Sequence, residues 1–362
     1  MKAFTVSAFK PKVYLYSICV LMSDIGENSR ATIGDVAEQA GVSIATVSRV
    51  INQTGQVAEE TAARVWAVIE ALNYSPHPAA RGLATRRTNT LGLVLRDISG
   101  EFFGPMLRGI EAGTRENGFD LLIHCTNRFE GDATPAQYAL SEHNSDGLLV
   151  FTDSLDEAEL RRLYRAQFPV VLLHRSSPPG LNIPCVSFEN KSGARKLIDY
   201  LIEVRGYRRI AFLAGPEGTE DSYWREMGYR EALAAHGIAF DPTLIEVGGF
   251  DEIQGKMGVK RLLERETAVD AIFAADDDSA IGVLEGLREA GLRVPEDIAV
   301  VGFDDIRLSK HLTPPLTTVR APIETAGREA VRQLVNLVRS GTAERLVLLP
   351  TELVIRHSCG AP

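Results

Sequence analysis

The sequence predicts an all-α N-terminal head followed by an α/β body of two lobes, each built on a doubly wound parallel sheet. Two observations carry this prediction. Residues 30–72 have helical periodicity, whereas from Leu91 onward short β-branched runs alternate with amphipathic helices. Strands buried on both faces and separated by crossover helices are typical of parallel sheets. The alternation is too long for one sheet, so we expect two lobes with a cleft between them.

Composition indicates an ordinary globular protein of more than one domain. The 362 residues are 45% hydrophobic and 24% charged, which allows a core that needs no disulfides. The four cysteines lie far apart, with no CxxC pair and no His–Cys metal spacing. We therefore expect reduced thiols in a cytoplasmic protein. No segment approaches transmembrane length, so no membrane partner is expected.

The charge is distributed unevenly along the chain. The net charge of −9 taken alone argues against nucleic-acid binding. Residues 1–90, however, hold nine Lys and Arg against seven Asp and Glu, whereas the rest holds 30 against 41. A slightly basic head before an acidic body fits DNA binding through the head alone, although the contrast is small.

Residues 1–29 are predicted to be a disordered extension. Three lysines precede the apolar run Val13–Leu21. This run is too short to span a bilayer, although the apolar region of a signal peptide can be that short. No convincing small-residue cleavage site follows it. Translation starting at Met1 and translation starting at Met22 both stay open.

The strongest local signal is ATIGDVAEQAGVSIATVSRVIN, residues 31–52. Thr32 followed by Asp35 resembles a capping box, so a helix should begin directly after Thr32. Gly41 permits a tight turn, and Ser43 is a good N-cap for a second helix. This spacing predicts a helix-turn-helix within residues 30–75.

The outer face of the second helix suits the major groove of DNA. With Val47, Val50 and Ile51 turned inward, the outer positions are small, hydrogen-bonding or cationic, without an acid. Arg reads guanine with two hydrogen bonds, and small residues allow close approach to thymine methyls and phosphates. The alternative is an αα-hairpin with a plain polar face; the acid-free face and the turn glycine favour DNA. The outer residues are Ile44, Ala45, Thr46, Ser48, Arg49 and Asn52.

No catalytic constellation stands out in the body. It has no P-loop, HExxH, GxSxG or strand-following GxGxxG, and its histidines lack ligand spacing. We therefore predict that the protein is not an enzyme and that it uses no cofactor or metal. The run Asp276–Asp278 directly follows a buried strand. It is interpreted as a strand end with a helix cap; ligand contact by Asp276 and a metal are the alternatives.

The chain resembles the LacI/GalR (lactose-repressor) family of bacterial transcription regulators. The resemblance rests on T-I-G-D-V-A-E-x-A-G-V-S-x-x-T-V-S-R-V-I-N, N-Y-x-P and A-A-R-G-L, and on RRIAFLAGP, FAADD, GLRVPEDIAVVGFDD and LTPPLTTVRAP in the body. It covers roughly residues 30–357 and implies a body like periplasmic sugar-binding proteins. The implied function is a DNA-binding regulator, more a repressor than an activator, controlled by a sugar or sugar derivative. The alternative is a periplasmic-type solute-binding protein, which would need a cleavable signal and no DNA-binding head.

The resemblance also assigns roles in the head. It places Ile44, Ala45 and Arg49 at base edges. It implies phosphate contacts for five polar residues, which are Thr32, Ser43, Thr46, Ser48 and Asn52. It identifies the segment YSPHPAARGLATRR, residues 74–87, with the family's hinge helix, which we place in residues 76–88. This helix is too short to fold alone and orders in the minor groove, where Leu83 enters between base steps. A plain flexible linker is the alternative. The complete predicted DNA-binding set is Thr32, Ser43, Ile44, Ala45, Thr46, Ser48, Arg49, Asn52, His77, Ala80 and Leu83.

One position in the head departs from the family. A third helix, predicted over Glu59–Asn73, closes the small core with its apolar face. Ala58 stands before it, where the family often has a Ser cap. A missing cap costs about 1 kcal/mol of local stability.

In the body, the resemblance implies an effector site made by strand ends that line the cleft. Aromatic rings stack on a sugar or base, Arg binds oxygens, and carboxylates accept hydrogen bonds from hydroxyls. Core packing or surface ion pairing is the alternative for each residue. His174 stands where many members have Asp, and Asp276 where many have Asn, so the ligand is not carried over. The predicted set is Phe102, Phe103, His174, Arg225, Phe250, Asp276 and Asp304.

We expect a homodimer that binds a palindromic operator. The chain ends directly after the last expected strand, near residues 346–356, without the leucine-heptad tail of tetrameric members. Two heads would then span paired half-sites. The effector-binding domain is predicted over residues 89–362. Its first lobe comprises 89–188 and 321–343, and its second lobe comprises 189–317 and 344–357.

Overall fold

The structure is a computed structural model that describes residues 31–52, 54–74, 88–126, 140, 144–265 and 267–361. The chain forms two compact units, residues 1–81 and 82–362. The predicted extension 1–29 and nearly all of the predicted hinge, with His77, Ala80 and Leu83, lie outside the described residues.

The head is the three-helix arrangement that the sequence predicts. Its helices are α1 (Ile33–Ala40), α2 (Ile44–Asn52) and α3 (Glu59–Ala71). The capping box is present: Thr32 N donates to Asp35 Oδ2 at 2.7 Å, and Asp35 N donates to Thr32 Oγ1 at 3.3 Å. Gly41 ends α1 with φ 63°, which a residue without a Cβ adopts without strain. The buried core is Val36, Ala37, Ala40, Val47, Val50, Val65 and Ile69.

The first lobe of the body contains a six-stranded sheet in the order β11-β5-β4-β3-β1-β2. All its pairings are parallel. The strands are β1 (Thr90–Leu95), β2 (Asp120–Cys125), β3 (Gly147–Phe151), β4 (Val170–Leu173), β5 (Cys185–Phe188) and β11 (Leu346–Leu349). Its helices are α4 (Phe103–Glu116), α5 (Glu157–Arg165) and α10 (Ile323–Ser340).

The second lobe repeats the design with the order β12-β10-β9-β8-β6-β7. Here β12 runs antiparallel to β10, and the other pairings are parallel. The strands are β6 (Ile210–Ala214), β7 (Ile245–Val247), β8 (Ala271–Ala274), β9 (Ala299–Asp304), β10 (Thr317–Arg320) and β12 (Glu352–Val354). Its helices are α6 (Asn190–Glu203), α7 (Glu220–Ala235), α8 (Glu252–Glu264) and α9 (Asp277–Glu289), with 3₁₀ turns at Pro242–Leu244 and His357–Cys359.

The chain crosses between the lobes three times, after β5, after β10 and after β11. The last crossing corrects one predicted boundary. In place of one strand near 346–356 in the second lobe, the structure has two strands in different sheets. Leu346 pairs with Cys185 in the first sheet, whereas Val354 pairs with Thr318 in the second. Assigning residues 344–350 to the second lobe was therefore wrong, because strand pairing between distant segments decides the lobe.

Within each lobe, paired helices pack with their backbones in contact. A Cβ added to Gly109 of α4 would lie 1.9 Å from the carbonyl oxygen of Glu324 at the start of α10. A Cβ on Gly327 of α10 would lie 2.4 Å from the carbonyl oxygen of Met106. Such close packing makes each lobe stiff. A change of shape in the body is therefore expected at the crossings rather than inside a lobe.

Two further findings concern chemistry outside any site. Within the described ranges, no helix is long and apolar enough to cross a lipid bilayer. The three cysteines in these ranges, Cys125, Cys185 and Cys359, are free thiols.

Replacing Ala58 by Ser should stabilise the head. Ala58 occupies the N-cap of α3 with φ −57° and ψ 136° and provides no side-chain acceptor for the first turn. A hydroxyl there adds about 1 kcal/mol of stability, which should slow amide exchange in α3 about fivefold. Hydrogen exchange of the full chain measures this. Ala58→Val is the control, and equal exchange in both variants would contradict a capping effect.

Candidate functional site

The outer face of α2 carries polar side chains that bond to one another. Ser43 Oγ accepts a hydrogen bond from Thr46 N at 3.2 Å and lies 2.9 Å from Thr46 Oγ1. Asn52 Nδ2 donates to Ser48 Oγ at 3.3 Å. These bonds order the polar side chains of the face before any partner is present, which lowers the entropy cost of binding.

Several of the predicted DNA-binding residues in and before α2 lie in solvent. Thr32, Ser43, Ala45 and Arg49 are exposed, and Ile44 is 54% exposed. Because Ala45 and Arg49 are four residues apart on a helix, they lie on the same side of it. The result is a small, open surface along α2, with Ile44 and Ala45 in its first turn and the cation of Arg49 in its last turn, suited to groove contact. Thr46, Ser48 and Asn52 are half-buried beside it.

In the body, all seven predicted effector residues line one inter-lobe cavity of about 300 Å³. They reach it from the carboxyl ends of strands, which is where parallel sheets bind ligands. Phe102 and Phe103 follow β1, and His174 directly follows β4 in the first lobe. From the second lobe, Asp276 follows β8 and Asp304 ends β9. Phe250 follows β7, and Arg225 comes from α7.

The first-lobe side of the cleft is aromatic. The ring centroids of Phe102 and Phe103 lie 5.6 Å apart in a T-shaped pair. Phe151, at the end of β3, lies 5.3 Å from Phe103. Edge-to-face rings at these separations support one another and leave a stiff apolar wall. A sugar ring can pack its C–H face on such a wall.

The second-lobe side is built around a buried guanidinium. Arg225 is 2% exposed, and its Nε donates to Asn190 Oδ1 at 2.9 Å. Its Nη1 donates to the Ala275 carbonyl at 2.6 Å, and its Nη2 donates to Asp304 Oδ1 at 3.2 Å. The guanidinium carbon also lies 3.9 Å from the ring centroid of Phe303. Arg225 is therefore held mainly by the protein, and its main effect is to position Asp304.

Burial changes the protonation of the two carboxyls nearest this guanidinium. It raises the pKa of Asp276 to about 7, against the Ser279 hydrogen bonds that lower it. Burial also raises the pKa of Asp304 well above its ordinary value, although Arg225 opposes the shift. Near neutral pH the Asp276 carboxyl is present in both protonation states, so it can either accept a hydrogen bond from a ligand hydroxyl or donate one to it.

The run Asp276–Asp278 separates into three roles. Asp276 is the N-cap of α9 and accepts from Ser279 N at 3.0 Å, as the sequence predicts. Asp277 is buried and accepts from Ile306 N at 3.1 Å and from Thr318 Oγ1 at 2.6 Å. Burial raises the pKa of Asp278 to about 6, although the nearby backbone amide of Glu101, from the first lobe, opposes the shift. Among the described residues, no group of three or more His, Cys, Asp or Glu could hold a metal ion.

Three residues lining the cleft have left-handed backbone conformations. These are Thr152 with φ 45°, His174 with φ 57° and Asp304 with φ 115°. Such conformations cost about 1–3 kcal/mol at a non-glycine residue and persist only where the surroundings enforce them. Their concentration at one cavity is typical of a functional site.

The sequence did not single out several residues of the cleft. Phe151 ends a strand that was predicted, so its position beside the strand-end aromatics was open to inference. Asp221 lies four residues before Arg225 on α7, and this spacing was the available signal. Asn190 bonds Asp221 and Arg225 across the chain, which no local pattern reveals.

The cleft carries a strong excess of acids. Eight Asp and Glu side chains line it, whereas its described cations are Arg96, Arg225 and, when protonated, His174. Arg96 pairs with Asp153 at 3.2 Å, and Arg225 pairs with Asp304. The field inside the cavity therefore disfavours anions.

A helix-turn-helix head and a two-lobed body with an inter-lobe cavity define a ligand-responsive DNA-binding protein. Comparison with known sequences agrees. Residues 32–77 match the lacI family of bacterial regulatory proteins, and residues 198–359 match a periplasmic binding protein-like domain. The chain is 38% identical over 336 residues to the HTH-type transcriptional regulator CelR of Thermobifida fusca, covering 91% of this chain and 98% of that one. It is 36% identical over 334 residues to the regulator GalR of Escherichia coli, covering 92% and 96%.

Solved structures give the same result. The CelR–cellobiose complex has a TM-score of 0.66 at 35% identity and covers 91% of this chain and 100% of that one. The Lac repressor dimer bound to operator and the anti-inducer ONPF has a TM-score of 0.77 at 27% identity, covering 91% and 99%. The chain belongs to the lacI family of bacterial regulatory proteins. It is a DNA-binding transcriptional regulator controlled by a small-molecule effector, and not an enzyme.

Replacing Asp276 by Asn should make stability less dependent on pH. The folded carboxyl keeps its proton to about pH 7, whereas the unfolded chain releases it near pH 3.8. The folded state therefore binds more protons between these values, and it loses stability as pH rises through them. The amide still accepts the Ser279 bond and carries no charge. We expect the variant to gain about 1 kcal/mol or more over wild type between pH 4.5 and 8, measured by denaturant unfolding.

Asp297→Asn is the control, with the opposite sign. Its hydrogen bonds from Arg293 lower the pKa of Asp297 to about 2. This carboxylate contributes stability above the unfolded pKa, and the contribution is lost as pH falls through the folded value. The control should therefore be less stable than wild type at pH 8. A parallel pH dependence in the two variants would contradict the assignment to Asp276.

Proposed function

We propose that the protein is a homodimeric repressor whose heads bind a palindromic operator and whose cleft binds an uncharged sugar or sugar derivative. The observation that carries this proposal is one cavity with an aromatic wall on one lobe and carboxyls on the other, in the same chain as a helix-turn-helix. Of the seven predicted effector residues, Arg225 acts by positioning Asp304 and the other six provide the sugar contacts. Effector binding changes how the lobes close.

Ring stacking and hydroxyl recognition support a sugar. Phe102, Phe103 and Phe151 offer an apolar face, while Asp276 and Asp304 bond hydroxyls. Among the relatives, CelR has been solved in complex with cellobiose. A LacI-family regulator of Enterococcus faecium has been solved with bound ribose; its structure has a TM-score of 0.66 at 25% identity and covers 74% of this chain and 98% of that one.

Charge narrows the class to uncharged ligands. A phosphate group in the cleft would meet the acid excess, and the buried guanidinium of Arg225 is already bonded to Asp304, Ala275 and Asn190. Even without the charges of Asp276 and Asp304, six acids remain in the lining against two arginines that are already paired, so an unpaired anion there is unfavourable. Phosphorylated sugars should therefore bind poorly.

The outer face of α2 supports sequence-specific DNA binding. Ile44, Ala45 and Arg49 are exposed along this helix, where base edges would lie, and the surrounding polar side chains reach phosphates. The predicted contacts of His77, Ala80 and Leu83 remain part of this proposal. DNA binding also favours a cytoplasmic regulator over the rival, a transport solute-binding protein, because the latter has no use for the head.

Exposed apolar side chains at the sheet edges support a homodimer formed through the body. β2 and β7 end their respective sheets. Leu122 and Ile123 of β2 lie in solvent, as do Val247 of β7 and Ile253 and Met257 of α8. Edge strands with exposed apolar side chains are ready association surfaces. A homodimer carries two heads, one for each half-site of a palindrome.

Replacing Arg49 by Ala should weaken operator binding by roughly 10–100-fold, since a bidentate Arg–guanine contact contributes about 1–3 kcal/mol. Gel shifts with palindromes from the DNA upstream of neighbouring genes, at fixed salt, measure this. Arg64→Ala, on exposed α3, removes the same charge and should have a much smaller effect. Equal losses in both variants would reduce Arg49 to a general electrostatic contact.

Uncharged sugars should stabilise the full chain, whereas their phosphates should not. At a ligand concentration of 100 Kd, the gain is about 2.7 kcal/mol, which raises Tm by about 5–10 °C in a body of this size. Thermal unfolding with cellobiose, galactose and ribose, each beside a phosphorylated sugar, tests this. Tighter binding of a phosphorylated sugar would overturn the charge argument, and no binding by any sugar would overturn the effector class.

A further inference from the structure

Two consecutive acids at the start of α7 reach across the cleft. Glu220 accepts from Ser176 N through Oε1 at 2.9 Å and from Ser176 Oγ through Oε2 at 2.6 Å. Asp221 Oδ2 lies 3.0 Å from His174 Nδ1. α7 belongs to the second lobe, whereas His174 and Ser176 follow β4 of the first. These contacts therefore exist only while the lobes are together.

His174 has a single polar neighbour at short distance within the described part of the chain. Its imidazole is buried among the rings of Phe102, Phe151 and Phe188, at centroid distances of 5.6, 5.3 and 4.6 Å. Neither nitrogen of the His174 ring makes a well-aligned hydrogen bond to any described residue. The 3.0 Å contact with Asp221 is thus an electrostatic contact rather than an ideal hydrogen bond. In this apolar setting such a contact is strengthened.

Asp221 also connects to the first chain crossing between the lobes. Its Oδ1 accepts from Asn190 Nδ2 at 2.7 Å, and Asn190 begins α6, directly after the crossing. Burial raises the pKa of Asp221, but His174, Arg225 and the Asn190 hydrogen bond outweigh it and leave the pKa lowered. The side chain is therefore a carboxylate that joins the first lobe, the crossing and Arg225.

We propose that Glu220 and Asp221 form a cross-lobe clamp with Ser176 and His174, and that this clamp holds the body closed and connects the cleft to the crossing at Asn190. The proposal rests on the proposed function only for its use in regulation. The closure itself is a property of the chain without ligand or DNA, so it is tested without either.

Glu101 and Asp278 form a second contact between the lobes, away from the clamp, so they allow lobe closure to be measured independently. The backbone amide of Glu101, in the first lobe, lies beside Asp278 in the second lobe and favours the charged form of its carboxyl. A Cβ on the adjacent Gly100 would lie 2.8 Å from Asp278 Oδ2, which places the two loops in contact. Neither Glu101 nor Asp278 contacts Asp221 in the bonds described above. Exchange of the Glu101 amide therefore measures lobe separation rather than a local change in α7.

The test is amide hydrogen exchange of the full chain, read at Ser176 and at Glu101. In Asp221→Asn, whose amide can still accept from Asn190, exchange should be at least fivefold faster at both sites. Adding His174→Asn to that variant should produce little further change, because the contact is already lost. Asp153→Asn is the matched control. It breaks the 3.2 Å pair with Arg96 on the same cleft but inside the first lobe, and it should leave both amides unchanged.

Two results would overturn the clamp. One is faster exchange at Ser176 with no change at Glu101, which would reduce the contact to a local one. The other is equal acceleration by Asp153→Asn. If Asp221→Asn does not fold, Ser176→Ala replaces it, since this variant removes only the hydroxyl donor to Glu220, and Glu101 remains the readout. Failure of the sugar panel leaves these measurements untouched, so the two proposals are judged separately.

Discussion

The body depends most on one buried positive charge, the guanidinium of Arg225. An uncompensated charge in a protein interior costs several kcal/mol, so its partners are fixed wherever the fold survives. Those partners come from α6, the end of β8 and the end of β9. One side chain thereby sets the spacing of three segments that form the floor of the cleft, and it determines the surroundings of Asp304. The raised pKa values of Asp276 and Asp304 follow from the same burial.

The lobes are rigid inside, whereas the contacts between them are polar and can open. Inside the lobes, helices touch through glycine backbones, and a bulkier residue would have to displace a carbonyl. Between the lobes, the contacts near the cleft are carboxylates facing a histidine, a serine and a backbone amide. Polar contacts break and re-form more cheaply than packed cores, because water replaces the lost partner. Opening is therefore expected along this boundary, which is where a ligand enters.

In the head, too, the residues that stabilise the fold differ from those that are available to a partner. Its apolar residues close a three-helix core, and its caps satisfy the helix termini locally through Thr32, Asp35 and Ser43. The outer face of α2 contributes little to that core. It is consequently free to present Ile44 and Arg49 to a partner.

The sequence by itself determined everything that depends on local periodicity and local hydrogen bonding. The capping box, the turn at Gly41, most strands of both sheets and the strand-end positions of Phe103 and Asp304 were all predictable, because each depends on neighbours within a few residues. The tertiary structure decided what depends on distant partners. Only strand pairing placed Leu346–Leu349 in the first lobe. Only the folded chain brought His174 to Asp221, and Asn190 to Arg225, since these contacts join segments 47 and 35 residues apart that no local pattern links.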